Sequence, residues 1–321
     1  MPSKQAAVAF ERILTAIPPA SGAVVMGTGI VSIGLSLDHR ETFSRILLVV
    51  AAAAWIALGL LLTWRALHDR ERVHQEARSP AALTGVAGTA VLGTRLTLLG
   101  WSWAGIATLA IALAFWLVLL TPVLRHWVTP TVGVSLVLTV STESLAVLSA
   151  ALAARERAPW LLDAALAPFL LGLVFYAFVI SRFDIRQLIV GRGDHWITGG
   201  ALAISTLAAG RITLAAMSLH QLGGITGALK GISIVLWALT IAWLPALLAA
   251  EALRPRLSYD VRRWSTVFPV GMYAACSFIV GAAVNAPVIS DFARGWIWAS
   301  VGVWLVEFGA MIRCGLQLTG G

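Results

Sequence analysis

Charge is scarce in this sequence. Asp, Glu, Lys and Arg make up 12% of its 321 residues, against about 25% in soluble domains. With 59% of residues hydrophobic, a water-soluble globule is excluded and an integral membrane protein is indicated. Cysteine is scarcer still. Cys276 and Cys314 are the only two, both in or beside apolar stretches, which rules out a disulfide framework or a cysteine zinc site. The six histidines (39, 68, 74, 126, 195 and 220) fall in expected loops or helix ends, so no metal cluster or histidine relay is expected inside the membrane. Walker-type loop, H-E-x-x-H motif and nucleophile elbow are all missing. Gly27 and Gly29 lack the third glycine and the preceding strand of a dinucleotide loop. These absences argue against an enzyme and imply no cofactor and no metal. A net charge of +8 is compatible with nucleic acid, but its placement, described next, is not. Met1 to Ala16 lacks the apolar core and cleavage site of a signal peptide.

What the chain has is long apolar runs. A span needs about 20 apolar residues, roughly 17 to 25. Ten segments qualify: 19–37, 44–67, 81–100, 101–122, 131–153, 160–182, 195–218, 225–250, 264–286 and 292–316. Gly100 and Trp101 mark the tight turn that divides the third from the fourth. Pro19, Pro80 and Pro130 stand at or just before helix starts, where a missing N–H is harmless. With the N-terminus inside, 15 of the 23 Lys and Arg lie on the inner side, from Lys4 and Arg12 through Arg256 to Arg313. Five lie outside, and Arg95, Arg211 and Lys230 fall within spans. That bias predicts a multi-pass protein of the cell membrane with both termini in the cytoplasm.

The spans divide into two populations. Odd-numbered ones carry 37 Gly, Ser or Thr in 109 residues, even-numbered ones 19 in 120. Eleven of 14 tryptophans sit on even spans. Small and hydroxylated residues allow close backbone approach and offer polar atoms inward, whereas tryptophan favours the lipid interface. The expected fold is therefore all-α: five helical hairpins around a central pore, odd helices inner and even helices outer, in a single domain over residues 1–321. Close packing without a conduit is the other explanation of the small residues. On the eighth span, Gly223, Gly227 and Gly231 form a stripe that suits a contact between helices.

Ionisable groups at membrane depth cost at least about 2.5 to 3.5 kcal/mol and usually mark function. Arg95, Glu143 and Arg211 lie on odd spans. Two cations against one carboxylate leave a surplus positive charge near the expected axis, which suits a permeating anion. Alternatively, Glu143 pairs structurally with one arginine while the other reaches the headgroups. Glu307, on an even span, has no evident partner in the sequence.

The segment Trp264 to Tyr273 (W-S-T-V-F-P-V-G-M-Y) opens the ninth span with Phe268 directly before Pro269. A proline inside a helix frees the carbonyl four residues back, here that of Ser265. In lipid such a carbonyl is tolerated only against protein or a watery cavity. An aromatic ring is thus held at a bend, as a gate or as a core side chain beside an ordinary kink.

The run Val24 to Ser32 (V-V-M-G-T-G-I-V-S), after Pro18, Pro19 and Gly22, resembles the first-helix signature of the tellurite-resistance and C4-dicarboxylate transporter family. That family includes the yeast malate permeases, the fungal sulfite exporters and the plant guard-cell slow anion channels. Val267 to Tyr273 (V-F-P-V-G-M-Y) resembles its ninth helix. The resemblance implies a quasi-fivefold bundle, homotrimers among bacterial members, and a pore plugged at the position of Phe268 beside Pro269. It also implies that Gly27 and Gly29, flanking Thr28, let the first helix line the conduit closely. Arg95, Arg211 and Glu143 are nominated as anion-binding or pore-lining from depth and sign alone. The implied function is passage of small inorganic or carboxylate anions across a lipid bilayer. Alternatives are a proton-coupled C4-dicarboxylate carrier, with Glu143 as proton site, or a sulfite exporter.

Overall fold

The computed structural model describes residues 17–255 and 259–319. Lys4, Arg12 and Arg256 of the charge count, and the Met1 to Ala16 segment, lie outside the described residues. Ten long helices follow one another: α1 (Gly22–Leu37), α2 (Glu41–His68), α3 (Thr84–Leu99), α4 (Ser102–Arg125) and α5 (Val137–Glu156), then α6 (Pro159–Ile180), α7 (Ile197–Leu219), α8 (Thr226–Leu253), α9 (Trp264–Val284) and α10 (Pro287–Thr319). All ten are long and apolar enough to cross a membrane. Among the described residues no strand forms beyond one isolated bridge, Thr131 with Phe183. Each expected span is present. The differences lie at the ends, α2 beginning at Glu41 and α10 at Pro287.

Local chemistry sets these boundaries. Every odd helix is entered through a short 3-10 turn: Pro19–Ser21, Pro80–Leu83, Gly133–Leu136, Asp194–Trp196 and Val261–Arg263. In the first two the leading proline donates no N–H, so nothing is lost at that position. Between α3 and α4, Gly100 adopts φ 99°, a left-handed conformation that glycine takes without steric cost, and the chain reverses there as expected.

The two compositional populations occupy different layers. In the most apolar stretch of each odd helix 72–100% of residues are buried, against 22% in every even helix. The odd helices pack on one another in closed cyclic order, α1 on α3, α3 on α5, α5 on α7, α7 on α9 and α9 on α1. Each even helix packs on the odd helix before it and on the next one around the ring. Tryptophan joins these layers. Trp55 of α2 donates to Thr89 of α3 at 2.8 Å, and Trp116 of α4 to Thr142 of α5 at 2.9 Å. Trp237 of α8 donates to Ser277 of α9 at 2.8 Å, and Trp304 of α10 to Thr28 of α1 at 3.0 Å. At the fifth junction a tyrosine takes this place, Tyr176 of α6 donating to the Thr198 carbonyl of α7 at 3.4 Å. An outer helix is thereby tied to the neighbouring hairpin's inner helix around the whole ring.

Interhelical hydrogen bonds in membranes average about 0.6 kcal/mol. Trp304→Phe is therefore expected to lower unfolding stability by about that amount, read by thermal or denaturant unfolding in detergent. Trp103→Phe, at a side chain 74% exposed on the outer face, should leave stability unchanged. Equal effects from the two substitutions would refute the tie.

Candidate functional site

The axis of the inner ring is not filled solid. Ile30, Val91, Ser144, Ile204 and Met272, one from each odd helix, line a narrow void of about 10 Å³, room for about one water molecule. Its two hydroxyl-bearing wall residues turn back on their own helices. Thr94 donates to the Ala90 carbonyl and Ser144 to that of Val140. The wall presented to the axis is therefore apolar, and no charged side chain lines it.

One turn before Met272, on the same face of α9, stands Phe268, 1% exposed. Residues four apart share a helix face, so Phe268 lies on the face of α9 that Met272 presents to the cavity, one turn toward the end at which the odd helices begin (the near side). The same step back from the wall residues of the other inner helices reaches Met26, Ala87, Val140 and Gly200. At that level α3, α5 and α7 present short or small side chains, beside the longer Met26 of α1 and the phenyl ring of α9. Pro269 is held by close approach, since a Cβ on Gly200 would lie 2.6 Å from Pro269 Cγ. Pro269 lies inside a continuous α9, and Phe268 belongs to the buried core of the bundle.

At the opposite (far) end a wider funnel of about 400 Å³ opens among α3, α5 and α7. Thr97, Arg155, Arg211 and Ser218 contribute to its lining, and no acidic residue does. Arg211 Nε and Nη2 are buried without a hydrogen-bond partner. A guanidinium so placed is a ready donor to an anion, which it grips with two parallel N–H groups.

The remaining nominated residues lie elsewhere. Arg95 turns away from the axis toward α2, where Nη2 meets Glu41 Oε1 at 2.7 Å and Nε donates to Ser44 Oγ at 2.8 Å. Its charge is neutralised locally by Glu41, so Arg95 does not contribute to the surplus positive charge expected near the axis. Glu143 is fully buried, and a Cβ on Gly172 of α6 would lie 2.5 Å from its Cγ. Its carboxylate pairs with neither arginine; Ser205 Oγ of α7 donates to Oε1 at 2.9 Å. It therefore sits behind the axis, between α5, α6 and α7.

Gly27, Thr28 and Gly29 of the first-helix motif make helix contacts. A Cβ on Gly27 would lie 3.1 Å from Val267 of α9, and one on Gly29 would lie 2.8 Å from Val91 of α3. Thr28 accepts the Trp304 indole, and Ile30 and Ile33 are the α1 residues that reach the cavity. Glu307, unassigned from sequence, accepts from Arg263 Nε at 2.6 Å. The same guanidinium lies 3.7 Å from Glu251, so a near-side ion-pair cluster joins α8, α9 and α10. Among the described residues no three His, Cys, Asp or Glu side chains gather as a metal site.

A ten-helix membrane bundle with an apolar axis and a basic mouth defines a class, that of polytopic anion-transport proteins. The sequence profile of the voltage-dependent anion channel family, SLAC1, matches residues 16–312, and the chain belongs to that family. It is also 32% identical over 125 residues to uncharacterized membrane proteins of Mycobacterium tuberculosis, from strains CDC 1551 / Oshkosh and H37Rv. That alignment covers 37% of this chain and 62% of those relatives. The chain is thus a multi-pass membrane protein of an anion-transporting family.

Breaking a buried charge pair from one side strands the other partner. Arg95→Met is expected to lower stability by about 1 to 3 kcal/mol, because Glu41 and Ser44 lose their donor. Anion selectivity should be untouched. Thermal unfolding together with reversal-potential measurements checks both halves, and a change in selectivity would return Arg95 to the permeation path.

Proposed function

We propose that this chain passes small anions along the axis of its five inner helices, with Phe268 occluding the path and Arg211 attracting anions at the far mouth. One observation carries this reading: the apolar cavity touches all five odd helices, and Phe268 lies one turn beneath it on the α9 face that Met272 presents. An apolar constriction excludes hydrated ions until it widens or wets. Rotation of the phenyl ring, or a shift of α9 at Pro269, is the step that opens it. The substrate class is a small inorganic or carboxylate anion, with malate, other C4-dicarboxylates and sulfite as the panel to test. The Lys and Arg bias supports a near side in the cytoplasm of a cell membrane, and the family resemblance supports a homotrimer in which each protomer holds its own path. A proton-coupled dicarboxylate carrier is the second reading, favoured by the buried Glu143 carboxyl. Labelled malate uptake into proteoliposomes with and without a pH gradient separates the two readings.

Phe268→Ala is expected to raise anion conductance in planar bilayers or proteoliposomes. An unchanged current in a well-folded variant would remove the plug. Arg211→Gln should reduce conductance at low ionic strength and matter less in concentrated salt, where screening shortens the field to about 3 Å at 1 M. A loss that is the same at every salt concentration would deny Arg211 an electrostatic role.

A further inference from the structure

Three buried polar side-chain atoms lie in one region behind the axis and have no hydrogen-bond partner: Thr139 Oγ1, Glu143 Oε2 and Tyr273 OH. Thr139 and Glu143 are four residues apart on α5, hence on one face. Facing them on α6 are Gly172, whose absent side chain makes room for the Glu143 carboxyl, and Tyr176 one turn nearer the near side. The Tyr176 hydroxyl donates to the Thr198 carbonyl at the start of α7 and accepts from the Trp243 indole at 3.1 Å. Tyr273 of α9 brings its own hydroxyl against Gly199, the next residue of that turn. A polar seam thus runs from Glu143 at mid-depth, past Thr139 and Tyr176, to the near-side turn of α7. There the Thr198 hydroxyl bonds the carbonyl of His195.

Hydrocarbon surroundings make an unserved polar atom cost several kcal/mol, and an intramembrane carboxyl marks a functional site with a nameable partner. The charged groups on the packed helices do not supply that partner. Arg95 of α3 is held by Glu41, Arg211 lies two turns beyond Ser205 in the far-side funnel, and Asp163 of α6 is exposed near that helix's far-side start. On α4, Trp116 is committed to Thr142. Among the described residues no ion pair includes Glu143.

We propose that Glu143 is a proton-binding site separate from the anion path, reached by water and protons from the near side through Thr139, Tyr176 and Tyr273. The proton passes from a hydronium ion to the Glu143 carboxylate, forming a carboxyl O–H bond and leaving water. Ser205 accommodates both forms. Its hydroxyl reaches Glu143 Oε1 at 2.9 Å and the Ala201 carbonyl at 3.2 Å. It donates to the carboxylate in one form, and in the other it donates to Ala201 while accepting from the new carboxyl. The Thr198–Gly200 turn also touches Pro269 and Tyr273, which links the site mechanically to the bend beside Phe268. This deepens the second reading above, and its test does not depend on anion flux.

Infrared difference spectroscopy of the full chain in liposomes, during a pH titration, reads the carbonyl stretch of a protonated carboxylic acid. The expected result is a titrating band that shifts in D₂O, disappears in Glu143→Gln, and exchanges more slowly in Tyr176→Phe. Should Glu143→Gln fail to fold, Glu143→Asp keeps a carboxyl and should move the band. No titrating band in the wild-type chain, or a band that persists in Glu143→Gln, overturns the site. Unslowed exchange in Tyr176→Phe overturns the route. A titrating band in a chain that passes no anion would count against the axial path and leave the proton site standing.

Discussion

Hydrocarbon offers no hydrogen bonds, and every polar atom in the span must find its partner within the protein. The tryptophan ties between layers answer that constraint. Each outer helix faces lipid with apolar side chains, yet four of the five turn an indole N–H inward to a hydroxyl of the neighbouring hairpin, and α6 turns the Tyr176 hydroxyl to a carbonyl. Because the hydroxyls are on the inner helices and the indoles on the outer ones, the bond fixes which helix goes inside. The same hydroxyls also bond their own helix. Thr89, for instance, donates to the Gly85 carbonyl while accepting from Trp55. An inner-ring threonine can therefore be satisfied without exposing anything to the axis. The axial wall stays apolar although the helices that build it are rich in polar residues.

Much of this was legible in the linear chain. The ten spans follow from apolar length, and the inner and outer layers follow from where Gly, Ser, Thr and Trp fall. Both are one-dimensional patterns that burial imposes directly. The Gly100 turn is equally local, because only a residue free of a Cβ takes that conformation cheaply. What the sequence hid were pairings between distant residues. The second span, started at residue 44, leaves Glu41 outside the helix. In the structure Glu41 is the first residue of α2 and holds Arg95, 54 positions away. Glu307 and Arg263 meet because α9 and α10 run antiparallel, and neither composition nor spacing signals it. The glycines of the first-helix motif misled in a different way. A glycine reports that something comes close, but not what. Here the close neighbours are Val267 and Val91.

Relocating Arg95 changes the electrostatic picture. Charge is kept out of the axis itself and gathered at the ends, in the Arg155 and Arg211 funnel on one side and among paired arginines on the other. Two unit charges 4 Å apart interact by about 1 kcal/mol in water and about 4 kcal/mol at the lower effective dielectric near a protein surface. In the proposed path a guanidinium at a part-open mouth would thus attract an anion without trapping it. The same group on a dry axis would bind too tightly for passage, since conduction needs a site that releases as readily as it captures.

The remaining asymmetry concerns the ring itself. Five inner helices start alike and pack in cyclic order, but they are not equivalent at the level of Phe268, where α3, α5 and α7 present Ala87, Val140 and Gly200 while the adjacent α1 and α9 present Met26 and Phe268. Bulk concentrated on two neighbouring helices is easier to move than bulk shared among five. Packed interiors resist gradual deformation and shift between discrete arrangements. A ring of five medium side chains would require coordinated repacking of the whole bundle to open. One phenyl against glycine and alanine requires a rotamer change, or a small displacement of the helix that carries it. Pro269 makes that helix the one with a weakened backbone ladder, and Gly200 brings α7 against the bend. In the proposed path the plugging residue and the residue that loosens its helix are neighbours in sequence, which would make α9 the element on which opening turns.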